Sequence, residues 1–186
     1  MQWLNEPARW SIDGSALTVT ADANTDFWRT TSYGYVRDNG HLYSEVLTGD
    51  FELSMRVRGC YADQYDQAGA MLRVDERRWL KTGVEYVDGR MRFSTVITAH
   101  HSSWTVADLP ETAAEIGLRL IRTGDAVEVR YSVDGGTDNL AALVYLPPDH
   151  AVLAGAMCAA PEGGGFGVTF DDLSIRPRAS NPPARS

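Results

Sequence analysis

Lys81 and Glu85 are the residues of this sequence best placed to carry chemistry. If Trp79–Val87 is a β-strand, both lie on one face with Gly83 between them, and the missing side chain of Gly83 leaves room for a molecule to approach the backbone. A nearby ammonium group would lower the pKa of Glu85, which favours a base or a nucleophile over an acid. The alternative is a solvated ion pair of little energetic value.

Four further residues are predicted to contribute to a ligand site on this face. If the preceding strand pairs with Trp79–Val87 as a hairpin across Asp75–Arg78, then Gln67 and Arg73 join Lys81 and Glu85 on one surface. Trp28 and Trp104 would wall the resulting cleft. Aromatic rings beside hydrogen-bonding groups suit a sugar, whose C–H face stacks while its hydroxyls need donors and acceptors. The alternative is that both tryptophans belong to the core.

The elements that position these residues are predicted to be β-strands throughout. Period-two alternation of apolar and polar residues dominates, and glycine and aspartate turns follow at short intervals. Asp108–Ala114 is the one segment that fits either a short helix or a loop. Strands are predicted at Leu17–Ala21, Leu42–Leu47, Phe51–Arg58, Ala68–Val74, Leu80–Val87, Met91–Thr98, Ser103–Val106, Leu118–Leu120, Val127–Ser132, Ala141–Tyr145, Val152–Cys158 and Gly167–Ile175. The pattern predicts an all-β fold, a two-sheet antiparallel β-sandwich.

Composition and charge narrow the functional classes. The 186 residues carry 17 basic and 25 acidic side chains, a formal charge of −8, which argues against nucleic acid or an anionic membrane as partner. Without a signal sequence or a long apolar stretch, we expect the protein in the cytoplasm, with Cys60 and Cys158 as reduced thiols in or near the core. Residues 1–176 are predicted to form one domain, followed by a flexible tail at 177–186.

Several segments resemble the DUF1349 family. They cover nearly the whole predicted domain and are Thr25–Arg29, Tyr33–His41, Asp66–Met71, Trp79–Gly89, Ser103-Trp104, Cys158–Glu162 and Phe166–Phe170. The resemblance implies a concanavalin A-like lectin/glucanase jelly roll. It implies no reaction, because the family has no established activity to carry over.

Strings typical of particular enzymes and metal sites are missing. The Glu-x-Asp-x-x-Glu string of glucanases in this superfamily does not occur, and neither does a Gly-x-Ser-x-Gly elbow or a zinc-binding pattern. Asp63, Asp66 and the pair Asp171-Asp172 offer oxygens for calcium but form no dense run of ligands. We therefore predict no metal and no cofactor.

Three functions remain open from the sequence. The first is a binding module that holds a carbohydrate or a small polar ligand on its concave face, through Trp28, Gln67, Lys81, Glu85 and Trp104, with Arg73 as a donor to an acidic substituent. The second is a glycoside-active enzyme with Glu85 as its catalytic group. The third is a regulatory domain that binds a protein partner and acts on carbohydrate metabolism.

Overall fold

Two seven-stranded antiparallel sheets pack face to face in this protein. The structure is a computed structural model that describes residues 1–179, and in this range it contains sixteen strands and no α-helix. The prediction of a two-sheet antiparallel β-sandwich is confirmed. Asp108–Ala114, which fitted either a helix or a loop, is the end of a strand followed by a loop.

The first sheet, sheet A, carries the predicted site. In spatial order it contains β1 (Gln2–Leu4), β6 (His41–Leu47), β15 (Val152–Ala159), β8 (Gln67–Asp75), β9 (Arg78–Val87), β10 (Arg90–Ala99) and β11 (His101–Asp108). The order of sheet B is β14 (Asn139–Tyr145), β13 (Ala126–Val133), β12 (Ile116–Thr123), β7 (Phe51–Gly59), β16 (Phe166–Pro177), β3 (Ala16–Ala21) and β2 (Arg9–Asp13). The strands β4 (Phe27–Arg29) and β5 (Val36–Asp38) form a separate two-stranded ribbon that is hydrogen-bonded into neither sheet.

The main core lies between the two sheets and follows the predicted alternation. Along β7, Phe51, Leu53, Met55 and Val57 are buried, whereas the residues between them are partly or fully exposed. On β9, Leu80 and Val84 belong to the main core, as the alternation predicts, and Lys81 and Glu85 lie on the opposite face. Burial of large apolar side chains at about 1.5–3 kcal/mol each is what holds such a sandwich together.

A tight turn fixes the position of the strand that carries Lys81 and Glu85. Between β9 and β10, Asp88 and Gly89 both have positive φ, at 52° and 79°. A two-residue hairpin turn with positive φ at both positions matches the twist of antiparallel strands, which explains the Asp-Gly sequence here. The turn pairs Val87 with Arg90 and so sets the register of both strands.

The outer face of sheet A is covered more than the sequence indicated. The β4–β5 ribbon lies over it and closes a second apolar cluster of Phe27, Trp28, Leu42, Met71, Trp79, Val96 and Met157. Met71 and Trp79 lie on the face predicted to be open to ligand, and their apolar surface requires a cover. The predicted cleft is therefore reduced to the part of the face that the ribbon leaves open.

The structure bears on the predictions made for the C-terminal tail and for the two cysteines. Pro177 is the last residue of β16, and the Arg178 backbone N–H donates to the Asp50 carbonyl oxygen at 3.0 Å; the remaining tail from residue 180 lies outside the described residues. Cys60 and Cys158 form no disulfide, as predicted. Cys158 is buried, but Cys60 is exposed, so the expectation that Cys60 lies in or near the core was wrong.

Candidate functional site

Five of the six predicted ligand-binding residues line one pocket. This pocket, beside the β4–β5 ribbon on the outer face of sheet A, contains about 330 Å³ of space, part of it open to solvent. Its lining residues are Asp26, Trp28, Tyr33, Tyr35, Tyr65, Gln67, Lys81, Glu85 and Trp104.

The register of β8 and β9 places the polar groups of the pocket floor. Gln67 lies opposite Glu85, and Gly69 lies opposite Gly83. The two glycines allow the strands to approach closely, because a Cβ on Gly83 would lie 2.2 Å from the Ala68 carbonyl oxygen. Gly83 also has a φ of 154°, which L side chains rarely adopt. This bare stretch of backbone separates Lys81 from Glu85.

Lys81 is the centre of a buried polar network. Its side chain is 4% exposed, and Nζ donates to Gln67 Oε1 at 2.5 Å, to the Phe27 carbonyl oxygen at 2.7 Å and to Asp26 Oδ1 at 3.2 Å. An ammonium group has three N–H bonds, so each of them has an acceptor. A buried charge needs this degree of pairing to be tolerated. Lys81 therefore organises the pocket and has no donor left for a ligand.

Asp26 links the network to the ribbon. Its Oδ1 also accepts the Phe27 backbone N–H at 2.7 Å and Gln67 Nε2 at 3.4 Å. Its carbonyl oxygen accepts the backbone N–H groups of Asn39 and Gly40 at 3.0 and 2.9 Å. Within the described residues, Oδ2 accepts no hydrogen bond, although the Asp26 side chain is 7% exposed. This oxygen is available to a molecule in the pocket.

Glu85 is a buried carboxyl group held by a tryptophan. Its Oε2 accepts the Trp104 indole N–H at 2.8 Å, and the same N–H contacts Ser94 Oγ at 3.1 Å. Burial raises the pKa of Glu85, and the opposing effects of Lys81, Ser94 and Trp104 do not cancel it. Lys81 lowers this pKa, as predicted, but desolvation outweighs the single cation, so the net shift is upward.

Aromatic rings form the walls of the pocket. Trp28 packs edge-on against Tyr33 at 5.7 Å between ring centroids, and Tyr33 stacks on Tyr35 at 5.6 Å. On the other side, Tyr65 meets Trp104 at 6.2 Å. The hydroxyl groups of Tyr33 and Tyr65 lie 3.1 Å apart and join the two walls. This hydrogen bond, with burial, raises the pKa of Tyr33 to about 12, so its hydroxyl is neutral near pH 7.

Arg73 does not line this pocket. It is 7% exposed, and its two terminal nitrogens donate to the two carboxylate oxygens of Asp38, each at 2.7 Å. A paired arrangement of this kind is among the stronger hydrogen-bonded contacts. Arg73 therefore attaches β5 to sheet A and has both terminal nitrogens occupied.

Four of the pocket residues were not predicted from the sequence. Asp26, Tyr33, Tyr35 and Tyr65 lie in loops or at the edge of a short ribbon, where alternation does not indicate which way a side chain points.

The composition of the sequence contains one signal for Lys81 that the predictions above did not use. Lys81 is the only lysine in the sequence, whereas arginine supplies the other basic side chains. A single lysine within an apolar strand is an available signal for a specific role.

Two classes of feature are missing from residues 1–179. No three His, Cys, Asp or Glu side chains in this range come together in a way that could hold a metal ion. Asp66, whose carboxylate the sequence offered for calcium, uses Oδ2 to accept the backbone N–H groups of Ala62 and Asp63, both at 3.0 Å. The same range contains no helix that is long and apolar enough to span a membrane.

Comparison with known proteins identifies relatives along nearly the whole chain. Regulation of enolase protein 1 from Saccharomyces cerevisiae is 37% identical over 173 residues, which are 93% of this chain and 87% of the yeast protein. A crystal structure of a functionally unknown protein from Saccharomyces cerevisiae superposes with a TM-score of 0.91 at 36% identity and covers 96% of this chain and 97% of that one.

Two more distant structures share the fold alone. The carbohydrate-binding module CBM66 from Bacillus subtilis has a TM-score of 0.57 at 13% identity, over 93% of this chain and 94% of that one. A mutant of the GH43 protein BlXynB from Bacillus licheniformis has a TM-score of 0.70 at 12% identity, over 93% of this chain but 36% of that one. The family model for DUF1349, described as a protein of unknown function, matches residues 3–178, and this chain belongs to that family.

Proposed function

We propose that this protein is a binding domain that holds a carbohydrate or a sugar-sized polar ligand in the pocket beside Lys81. The observation that carries the proposal is the convergence of aromatic walls with two buried carboxyl groups, each with one oxygen that accepts no hydrogen bond from the described residues. The shared fold with a carbohydrate-binding module supports it. A mostly apolar cavity with a few convergent polar groups is the usual form of a ligand site.

The proposed contacts follow from what each side chain has left to offer. Trp28 and Trp104 would stack against the ligand, and the free oxygens of Asp26 and Glu85 would accept hydrogen bonds from it. Lys81 and Gln67 would act mainly by holding Asp26 in place. The ligand therefore has to donate hydrogen bonds, as sugar hydroxyls do.

Calorimetric titration of the full chain with a panel of mono- and oligosaccharides tests this proposal. Trp104→Ala is expected to abolish binding, because it removes one wall and the partner of Glu85. Trp10→Ala is a matched control, since Trp10 is 38% exposed against 36% for Trp104, and its indole also donates to a glutamate at 2.8 Å. Equal loss of binding in both variants, or no binding of any sugar by the wild type, would refute the proposal.

A glycoside-active enzyme is a second candidate, favoured by one observation. Burial raises the pKa of Glu85, which is the property of a general acid, and Asp26 supplies a second carboxylate in the same pocket. Hydrolysis of reporter glycosides that disappears in Glu85→Gln would support it. A well-folded wild type with no turnover on such a panel would exclude it in favour of binding.

A regulatory role through a protein partner is the third candidate. It is favoured by the yeast relative, which is named for the regulation of enolase. If this candidate is correct, the chain should change the activity of an enolase, and Trp104→Ala should leave that effect intact unless the pocket itself is the docking point. An unchanged enolase rate at saturating concentrations of the chain would argue against it.

We further propose the type of β-sandwich, the boundary of the domain and the cellular compartment. The sandwich would be a jelly roll of the concanavalin A-like lectin/glucanase type, with a domain at residues 1–176 and a tail from residue 177. The compartment would be the cytoplasm, in keeping with two unpaired cysteines. Limited proteolysis followed by mass measurement tests the boundary, since cleavage within residues 170–176 would contradict it.

A further inference from the structure

The positive and negative charges of the side chains that line the pocket do not cancel. One cation, Lys81, and two carboxyl groups, Asp26 and Glu85, line it, so its net charge is −1 when all three are ionised. The three donors of Lys81 are directed at Asp26, Phe27 and Gln67 and leave Glu85 without a cationic partner. Glu85 and Asp26 are 6% and 5% exposed, and each has an oxygen that accepts no hydrogen bond within residues 1–179. The pocket therefore offers acceptors and negative charge.

The walls of the pocket suit a cation as well. Five of the nine lining residues are aromatic, namely Trp28, Tyr33, Tyr35, Tyr65 and Trp104. The electron-rich face of an aromatic ring attracts an ammonium group, and enclosure of a cation by several rings is the typical mode of recognition for organic ammonium ions. Tyr35 already contacts a cation on this principle, since the Arg37 guanidinium lies 4.9 Å from its ring centroid.

We infer that the pocket recognises an organic ammonium group, enclosed by the aromatic walls and paired with the carboxylates of Glu85 and Asp26. This inference rests on the proposed function in so far as it uses the same pocket. A protonated amino sugar would supply the ammonium group together with a ring that stacks. A quaternary ammonium compound would supply the ammonium group without a sugar.

Such a ligand would be coupled to the protonation of Glu85. The groups that face Glu85 are Lys81 on its own strand, Asp26 before the ribbon, Trp104 on β11 and the tyrosines of the wall, and on β10 Ser94 and the cross-strand partner Arg92, whose guanidinium pairs with Asp108. A bound cation stabilises the ionised carboxylate, so binding should release a proton and strengthen as the pH rises through the raised pKa of Glu85. A neutral sugar would show neither effect.

Calorimetric titration of the wild-type chain with glucosamine, glucose and choline at constant ionic strength tests the inference. We expect glucosamine to bind at least about tenfold more tightly than glucose, a difference of ~1.4 kcal/mol. We also expect proton release, measured by repeating the titration in two buffers of different ionisation enthalpy. Glu85→Gln should weaken glucosamine at least about tenfold more than it weakens glucose, because the glutamine oxygen can still accept a hydrogen bond from a sugar hydroxyl but carries no charge, whereas Glu45→Gln on β6 should change neither.

The outcomes separate this inference from the proposed function. If glucose binds as tightly as glucosamine without proton release, recognition of ammonium is refuted and the carbohydrate site stands. If choline binds and neither sugar does, recognition of ammonium stands and the carbohydrate site is refuted. Absence of binding by all three refutes the ammonium inference, whatever other sugars bind. The two-buffer experiment needs no variant, so misfolding of Glu85→Gln cannot obscure the result.

Discussion

Replacement of Lys81 by methionine is expected to destabilise the fold by about 3–5 kcal/mol, although the side chain lies at a ligand pocket. The substitution removes the three N–H donors that Nζ supplies to buried acceptors, and it leaves the Asp26 carboxylate, whose side chain is 7% exposed, without a cation. Removal of one partner from a buried ion pair typically costs about 3–5 kcal/mol. At about 2–4 °C per kcal/mol, the melting temperature should fall by roughly 6–20 °C.

Urea unfolding followed by tryptophan fluorescence measures this loss, with Arg77→Met as the control. Arg77 pairs with Glu76 at 3.5 Å, and the two side chains are 58% and 55% exposed, so its loss should cost at most about 1 kcal/mol. Asp26→Asn combined with Lys81→Met should cost less than the two single substitutions together, because each leaves the other's charge unpaired. A cost below about 1 kcal/mol for Lys81→Met would refute this account of the network.

Three further predictions concern the same strand. An amine-reactive ester should label only the N-terminal amine of Met1 in the native protein and also Lys81 after denaturation, and equal labelling of Lys81 in both states would contradict its burial. Gly83→Ala should reduce the free energy of unfolding by more than about 2 kcal/mol, because the new Cβ would strike backbone, whereas Gly167→Ala, with open space around it, should change it little. Because burial raises the pKa of Glu85 above its value in the unfolded chain, its neutral form favours the fold; stability should therefore decrease as the pH rises through that raised pKa, and Glu85→Gln should remove this part of the slope.

The strand pattern was predictable because alternation is a local property of the sequence. Leu80 and Val84 point into the main core and Lys81 and Glu85 point away from it, as side chains on a pleated strand must. The hairpin across Asp75–Arg78 followed from the same alternation and places Gln67 directly opposite Glu85. Local pattern is therefore sufficient to assign these residues to one surface.

The pocket itself depends on contacts that alternation does not encode. The ribbon of β4 and β5 is two strands of three residues each, too short for a periodic signal, yet it brings Asp26 and Trp28 over the sheet. The direction of the pKa shift at Glu85 depends on how deeply this ribbon and Trp104 bury the carboxyl group. Burial by segments distant in sequence is a property of the folded state, so charge spacing alone predicts the effect of Lys81 but not the net direction of the pKa shift.

The signals of the five indole N–H groups in a ¹H–¹⁵N correlation spectrum test the central claim most directly, because tryptophans lie both inside and outside the pocket. On addition of glucosamine, the signals of Trp28 and Trp104 should shift while those of Trp3, Trp10 and Trp79 stay in place. Saturating shifts confined to Trp3 or Trp10, or an unchanged spectrum across sugars and ammonium compounds alike, would contradict a ligand site in this pocket.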